Sequence, residues 1–103
     1  MFGLVVRFDL HDEAATSHFD DLVGETLPEI YANEPGTQLY VVHSVEDAPN
    51  SRLFYELYVD RAAFDAHESQ PHVKRFLRER EQYISSLRVE FLRRIDGTVI
   101  TDA

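Results

Sequence analysis

Apolar residues recur along this chain in two rhythms, and the switches between them mark out its elements. Phe2, Leu4, Val6 and Phe8 alternate with Gly3, Val5 and Arg7, the period-2 signature of a β-strand over residues 2–9. From His11 the period lengthens to 3.6. Ala15, Phe19, Leu22, Val23, Thr26, Leu27, Ile30 and Tyr31 make one apolar stripe of a long helix, and the acidic residues fall mostly off it. Asp12 and Glu13 at its start suit the helix dipole. Pro28 deletes the bond to the carbonyl of Gly24, so a kink is expected there. Asn33-Glu34-Pro35-Gly36 ends the helix, with Asn33 as its C-cap.

Alternation returns over residues 37–45, where Leu39, Val41, His43 and Val45 oppose Gln38, Tyr40, Val42 and Ser44. The turn-rich run EDAPNS sets up an antiparallel hairpin to a strand over residues 52–60. In that strand Leu53, Tyr55, Leu57 and Val59 face one way and Phe54, Glu56, Tyr58 and Asp60 the other. Asp60 is a good N-cap for the helix RAAFDAHES. Ser69, Gln70 and Pro71 then restart the chain, with Pro71 in the first turn of PHVKRFLREREQY. A last strand is expected over residues 87–95, then an Asp96-Gly97 turn and a short tail from Thr98 with some strand character.

The order strand, helix, strand, strand, helix pair, strand predicts a ferredoxin-like split βαβ, an α+β domain over residues 1–95 with a tail over 96–103. Helices on one side of the antiparallel sheet would leave the other side wet. Yet both faces of the two central strands carry large apolar or aromatic groups. A second copy of the chain, packed sheet against sheet, is the simplest cover, so a homodimer is expected.

Composition narrows the function classes. At 103 residues the chain is one modest domain. A net charge of −9 argues against nucleic acid and against an anionic membrane surface. Without cysteine there is no disulfide framework, no thiolate nucleophile and no Cys-ligated metal. The N-terminus lacks the charged segment and cleavage site of a signal peptide, and no apolar run approaches the length of a membrane span. A cytoplasmic location is the default expectation.

The run FYELYVDRAAFDAHESQPHVKRF (Phe54 to Phe76), preceded by Asn33-Glu34-Pro35-Gly36, resembles the antibiotic biosynthesis monooxygenase (ABM) domain, and the match extends from about Phe2 to Leu92. The resemblance implies a ferredoxin-like homodimer whose two sheets share a barrel. Members of that family oxygenate quinols or polycyclic phenols with dioxygen and no cofactor, degrade haem, or isomerise a phosphorylated sugar; others have no assigned activity. It marks Glu56, Tyr58, His67 and His72 as motif positions. Haem-degrading members carry Trp where this chain has His67 and a haem-ligating His where it has Leu77. This chain has no Trp and Leu77 cannot ligate iron, so haem degradation is not expected.

Each candidate residue has a chemical and a structural reading. His67 suits proton abstraction from a phenolic hydroxyl, or holding the anion that results; it could equally pin its short helix to a strand. His72 follows Pro71 in a helix's first turn, where a neutral imidazole is favoured, as a capping or substrate-binding residue. Five residues with a proline between them do not put His67 and His72 on one helical face, and no Cys or neighbouring Asp completes a set, so no metal is expected. Glu56 among aromatics is either a base of raised pKa or a buried partner for Arg7 or for a backbone group at the dimer seam. Tyr58 is a hydrogen-bond donor or a wall. Asn33, Phe19, Leu22, Phe64 and Phe76 complete the expected substrate slot, and His11 and His18 read as solvated.

The favoured expectation is a monooxygenase acting on a quinol or polycyclic phenol with dioxygen and no cofactor. The alternatives are a small-molecule-binding dimer without catalysis, and an isomerase for a small phosphorylated substrate.

Overall fold

The computed structural model describes residues 1–98, so all but the first residue of the expected tail over Thr98–Ala103 lies outside the described residues. Strand β1 (Phe2–Leu10) leads into helix α1 (Glu13–Asn33), then β2 (Thr37–Val45), β3 (Ala48–Tyr58), α2 (Arg61–Glu68) and α3 (Pro71–Glu79). A single 3₁₀ turn (Arg80–Gln82) follows, and β4 (Ile84–Leu92) closes the chain's fold. The four strands form one antiparallel sheet in the order β2-β3-β1-β4, with the helices on one side. This is the ferredoxin-like α+β plan that the pattern predicts.

Both helix starts follow from local chemistry. Asp12 accepts from the Ala15 N–H and Asp60 from the Ala63 N–H, each at 2.8 Å, which satisfies a donor that a helix leaves orphaned. Register then fixes which face each strand residue takes. Leu4 lies opposite Glu56, Val6 opposite Phe54, and Tyr40 opposite Glu56 on its other side. Phe54, Glu56 and Tyr58 therefore look toward the helices together with Phe2, Leu4, Val6, Phe8, Tyr40 and Val42. There Phe8, Phe19, Phe54 and Phe76 interlock with ring centroids 4.6–6.5 Å apart.

Helix α1 runs through Pro28 as one element, and Pro28 and Gly24 are both exposed. Three expectations are corrected. Tyr31, placed on the buried stripe, is 72% exposed, because it sits one position past Ile30 at the open end of the helix. The EDAPNS loop contracts to a two-residue turn at Glu46-Asp47, with Asp47 in the left-handed region (φ 63°) and Val45 already paired with Ala48. Strand β4 starts three residues early, where Ile84 meets Leu10 across a bulge, and stops at Leu92 because its partner β1 runs out at Gly3.

The helices do not reach the whole sheet. On edge strand β4, Leu87, Val89 and Phe91 face the helix side and remain 41–56% exposed. On the opposite face Val41, Tyr55 and Leu92 are 38–42% exposed. Arg7 also lies on that face, bonded to Asp9 and Ser51, so it is no partner for Glu56. His43 is exposed there too, with its Nδ1 3.2 Å from the Leu53 carbonyl. No helix among the described residues is long and apolar enough to cross a membrane.

Candidate functional site

Pro35 forces Glu34 out of the helical region (φ −125°, ψ 79°), so α1 stops there and turns the Glu34 side chain inward. Gly36 then crosses beneath α2. A Cβ on Gly36 would sit 2.7 Å from the Ala63 Cβ, so only glycine lets α2 approach this closely. One helical turn after Ala63, His67 is thereby delivered to Glu34.

Glu34 is 8% exposed and is the hub of a buried polar cluster. Its Oε1 meets His67 Nδ1 at 2.6 Å and accepts from the Thr37 hydroxyl at 2.8 Å. Its Oε2 meets His72 Nε2 at 2.5 Å. Behind it, Tyr58 donates its hydroxyl hydrogen to Glu56 Oε1 at 2.5 Å, and that same oxygen lies 3.9 Å from His67 Nε2. The His67 ring is wedged between Tyr40 and Tyr58, centroids 5.5 and 5.3 Å away.

Glu56 and His67 of this cluster line one wall of a cavity of about 120 Å³ between the sheet and α2–α3. Phe8, Phe54, Phe64, Phe76 and Tyr40 supply its aromatic lining, with Leu4, Val6, Val73 and Val89 beside them. The polar groups that reach it are Glu56, His67, Glu68 and Arg80. Leu77 and Phe91 also line it, and Phe91 is 56% exposed. The Arg80 guanidinium lies over the Phe8 and Phe76 rings at 5.4 and 5.7 Å, and its Nε is buried without a partner.

Burial dominates the electrostatics. It raises the Glu56 carboxyl to about 7, although the Tyr58 hydrogen bond and the nearby Arg80 charge pull it back down. Tyr40 and Tyr58 are pushed up by burial and then by the Glu56 charge. Burial lowers Arg80 from its ordinary value. A carboxyl poised near neutrality beside a histidine and facing an apolar cavity is equipped to move protons.

Of the residues singled out in the sequence, His67, His72, Glu56 and Tyr58 come together, and Phe64 and Phe76 line the cavity. Phe19 and Leu22 are buried in the core but do not line it, Phe19 standing behind Phe76. Asn33 is exposed, and its amide bonds back to Glu29. His67 and His72 share a partner, because Glu34 offers each a separate oxygen. His11 and His18 are both exposed, as expected, and His18 also stacks on Tyr83. No group of three or more candidate ligands among the described residues could hold a metal ion.

Sequence reasoning missed Glu34, Tyr40 and Arg80. Signals existed for two of them. A glutamate directly before a helix-ending proline is forced into an extended turn, and Arg80 extends the Val73, Phe76, Leu77 stripe by one helical step.

No curated protein matches the chain in sequence. Solved structures do match in fold. A Bacteroides thetaiotaomicron protein, named as a candidate antibiotic biosynthesis monooxygenase, superposes with a TM-score of 0.87 at 18% identity, over 98% of this chain and 95% of its own. A Mycobacterium tuberculosis protein gives 0.86 at 20% identity, over 95% and 98%. A Caulobacter crescentus protein of the same naming gives 0.85 at 19%, over 92% and 90%. At these identities the similarity is one of fold. The family model described as antibiotic biosynthesis monooxygenase matches residues 1–79, a stretch that contains β1 through α3 and all of the Glu34 cluster, and the chain belongs to that family.

Proposed function

We propose that the protein is a cofactor-independent monooxygenase that oxygenates a quinol or phenolic ring with dioxygen, and that it works as a homodimer joined through the open sheet face. The observation that carries the reading is the pairing of Glu56 and His67 on one wall of an aromatic cavity that also receives Arg80. Loss of a proton converts such a substrate into an electron-rich anion, which Arg80 can pair with in a dry site. The anion passes one electron to dioxygen, and the organic radical and superoxide combine at carbon. The hydroperoxide then loses water to leave a carbonyl. One oxygen atom ends in the product and one in water, with both hydrogens of that water drawn from the substrate.

Cavity size limits the substrate. At about 120 Å³ the space is well below the roughly 300 Å³ at which drug-sized sites begin, so it suits a single ring. A polycyclic phenol requires Leu77 or Phe91 to swing away. The isomerase alternative fits less well, since Glu56 and Glu68 would oppose a phosphate and Arg80 is the one Lys or Arg in the lining. The dimer rests on the uncovered Val41, Tyr55 and Leu92.

The test is oxygen uptake with a panel of one-ring and fused-ring quinols, using ¹⁸O₂ and mass spectrometry of the product. Uptake above the protein-free rate with one labelled oxygen per product is expected, and Arg80→Met should cut it by about 10²-fold. No uptake above background with any quinol, together with calorimetric binding of the same compounds, would replace the enzyme with a binding module.

A further inference from the structure

Two histidines donating to one carboxylate leave little freedom in where their protons sit. An ionised carboxylate only accepts hydrogen bonds. Glu34 is surrounded by three potential donors, His67 Nδ1, the Thr37 hydroxyl and His72 Nε2, and as the carboxylate it accepts from all three. The proton of neutral His67 therefore sits on Nδ1, and that of neutral His72 on Nε2. The two rings hold opposite tautomers, and His67 carries the one less common in free histidine.

From this geometry we propose that Glu34 and His72 are positioning residues that lock His67 with its Nε2 lone pair toward the cavity, making His67 the group that takes the substrate proton. The inference rests on the monooxygenase reading for its chemistry but not for its geometry. Every element packed around His67 contributes a titratable or charged group: Glu34 after α1, Tyr40 on β2, Glu56 and Tyr58 on β3, Glu68 on α2 and Arg80 after α3. Among them Glu34 meets Nδ1 at 2.6 Å, and Glu56 lies 3.9 Å from Nε2. Glu56 is less available to take a proton, because one of its oxygens already accepts from Tyr58 and burial keeps a large share of it protonated near pH 7. When His67 takes a proton on Nε2, its Nδ1 stays 2.6 Å from the Glu34 carboxylate oxygen. His72, 11% exposed, occupies the second Glu34 oxygen and keeps that carboxylate from turning away.

Long-range ¹H–¹⁵N correlation spectra of ¹⁵N-histidine-labelled protein at pH 7.5 read the tautomers directly, with His67→Gln and His72→Gln giving the assignments. The expected spectrum shows His67 protonated on Nδ1 alone and His72 on Nε2 alone. Glu34→Gln, whose amide can donate as well as accept, should turn His67 into a tautomer mixture. It should lower kcat on the order of 10²-fold with KM little changed. Thr37→Val, which removes one donor without touching the histidines, should leave both tautomers in place and serves if Glu34→Gln does not fold. His67 found with a proton on Nε2, as the other tautomer or as imidazolium, overturns the proposal whatever the activity. If the tautomers are as stated but no quinol is oxidised, the geometry stands and the reaction assignment falls instead.

Discussion

Glu56→Gln offers a direct test of how strongly the fold desolvates this carboxyl. Glu56 is 5% exposed, and its carboxyl is raised from an ordinary value of 4.5 to about 7. The folded protein therefore holds this proton more tightly than the unfolded chain by roughly 300-fold, equivalent to about 3 kcal/mol. The sign follows from linkage. Between pH 4.5 and 7 the native state binds more protons than the unfolded state, so this group's contribution is fully present below pH 4.5. It is lost as pH rises through 7. Glutamine keeps the shape and can still accept from Tyr58 (2.5 Å in the parent), but it does not titrate. Measured by urea denaturation in steps from pH 5 to pH 8.5, the stability of Glu56→Gln relative to the parent should rise by about 2 kcal/mol across the window. Comparing the two proteins at each pH removes the other titrating groups, which both share. A gap that stays flat within about 0.5 kcal/mol would mean that Glu56 is hydrated in solution, and the case for a dry cavity would fail with it.

Two further outcomes probe how the site is held in place. Gly36→Ala brings a Cβ to 2.7 Å from the Ala63 Cβ and should cost about 1–3 kcal/mol by denaturation; adding Ala63→Gly should recover part of that loss, so that the double variant is more stable than the sum of the singles predicts. Asn33→Ala should leave oxygen uptake within about twofold of the parent, because its amide turns back to Glu29; a fall of tenfold or more would restore Asn33 to the substrate slot.

The fold was legible because each of its elements carries its own period and its own punctuation. The Asp60 cap, the Pro71 start and the alternation in β2 and β3 all correspond to observed features. Misplaced boundaries occurred where tertiary pairing outweighs local signals. Ala48 and Pro49 look like turn residues, yet they extend β3, because one left-handed residue at Asp47 is enough to reverse the chain. At the site, His67, Glu56, Tyr58 and His72 could be named as types, but their partners could not. A residue's spacing along a helix says nothing about a carboxylate arriving from 33 positions upstream.

The triplet Glu34-Pro35-Gly36 shows how a short motif can encode a site without containing its chemistry. Pro35 ends α1 and sets the Glu34 backbone, Glu34 supplies the carboxylate, and Gly36 removes the one atom that would keep α2 and its histidine at a distance. Each of these acts through position, so the triplet fixes where the imidazole stands and which nitrogen it presents. None of the three sets what lies opposite that nitrogen. The cavity's width and charge come from Tyr40, Leu77, Arg80 and Phe91, which sit on different elements and carry no shared motif. On the proposed function, proton handling rests on this triplet and the histidine it places, and substrate choice on the side chains that line the cavity. Enlarging the cavity at Leu77 or Phe91 should alter which ring is accepted while leaving the Glu34–His67 geometry as it is.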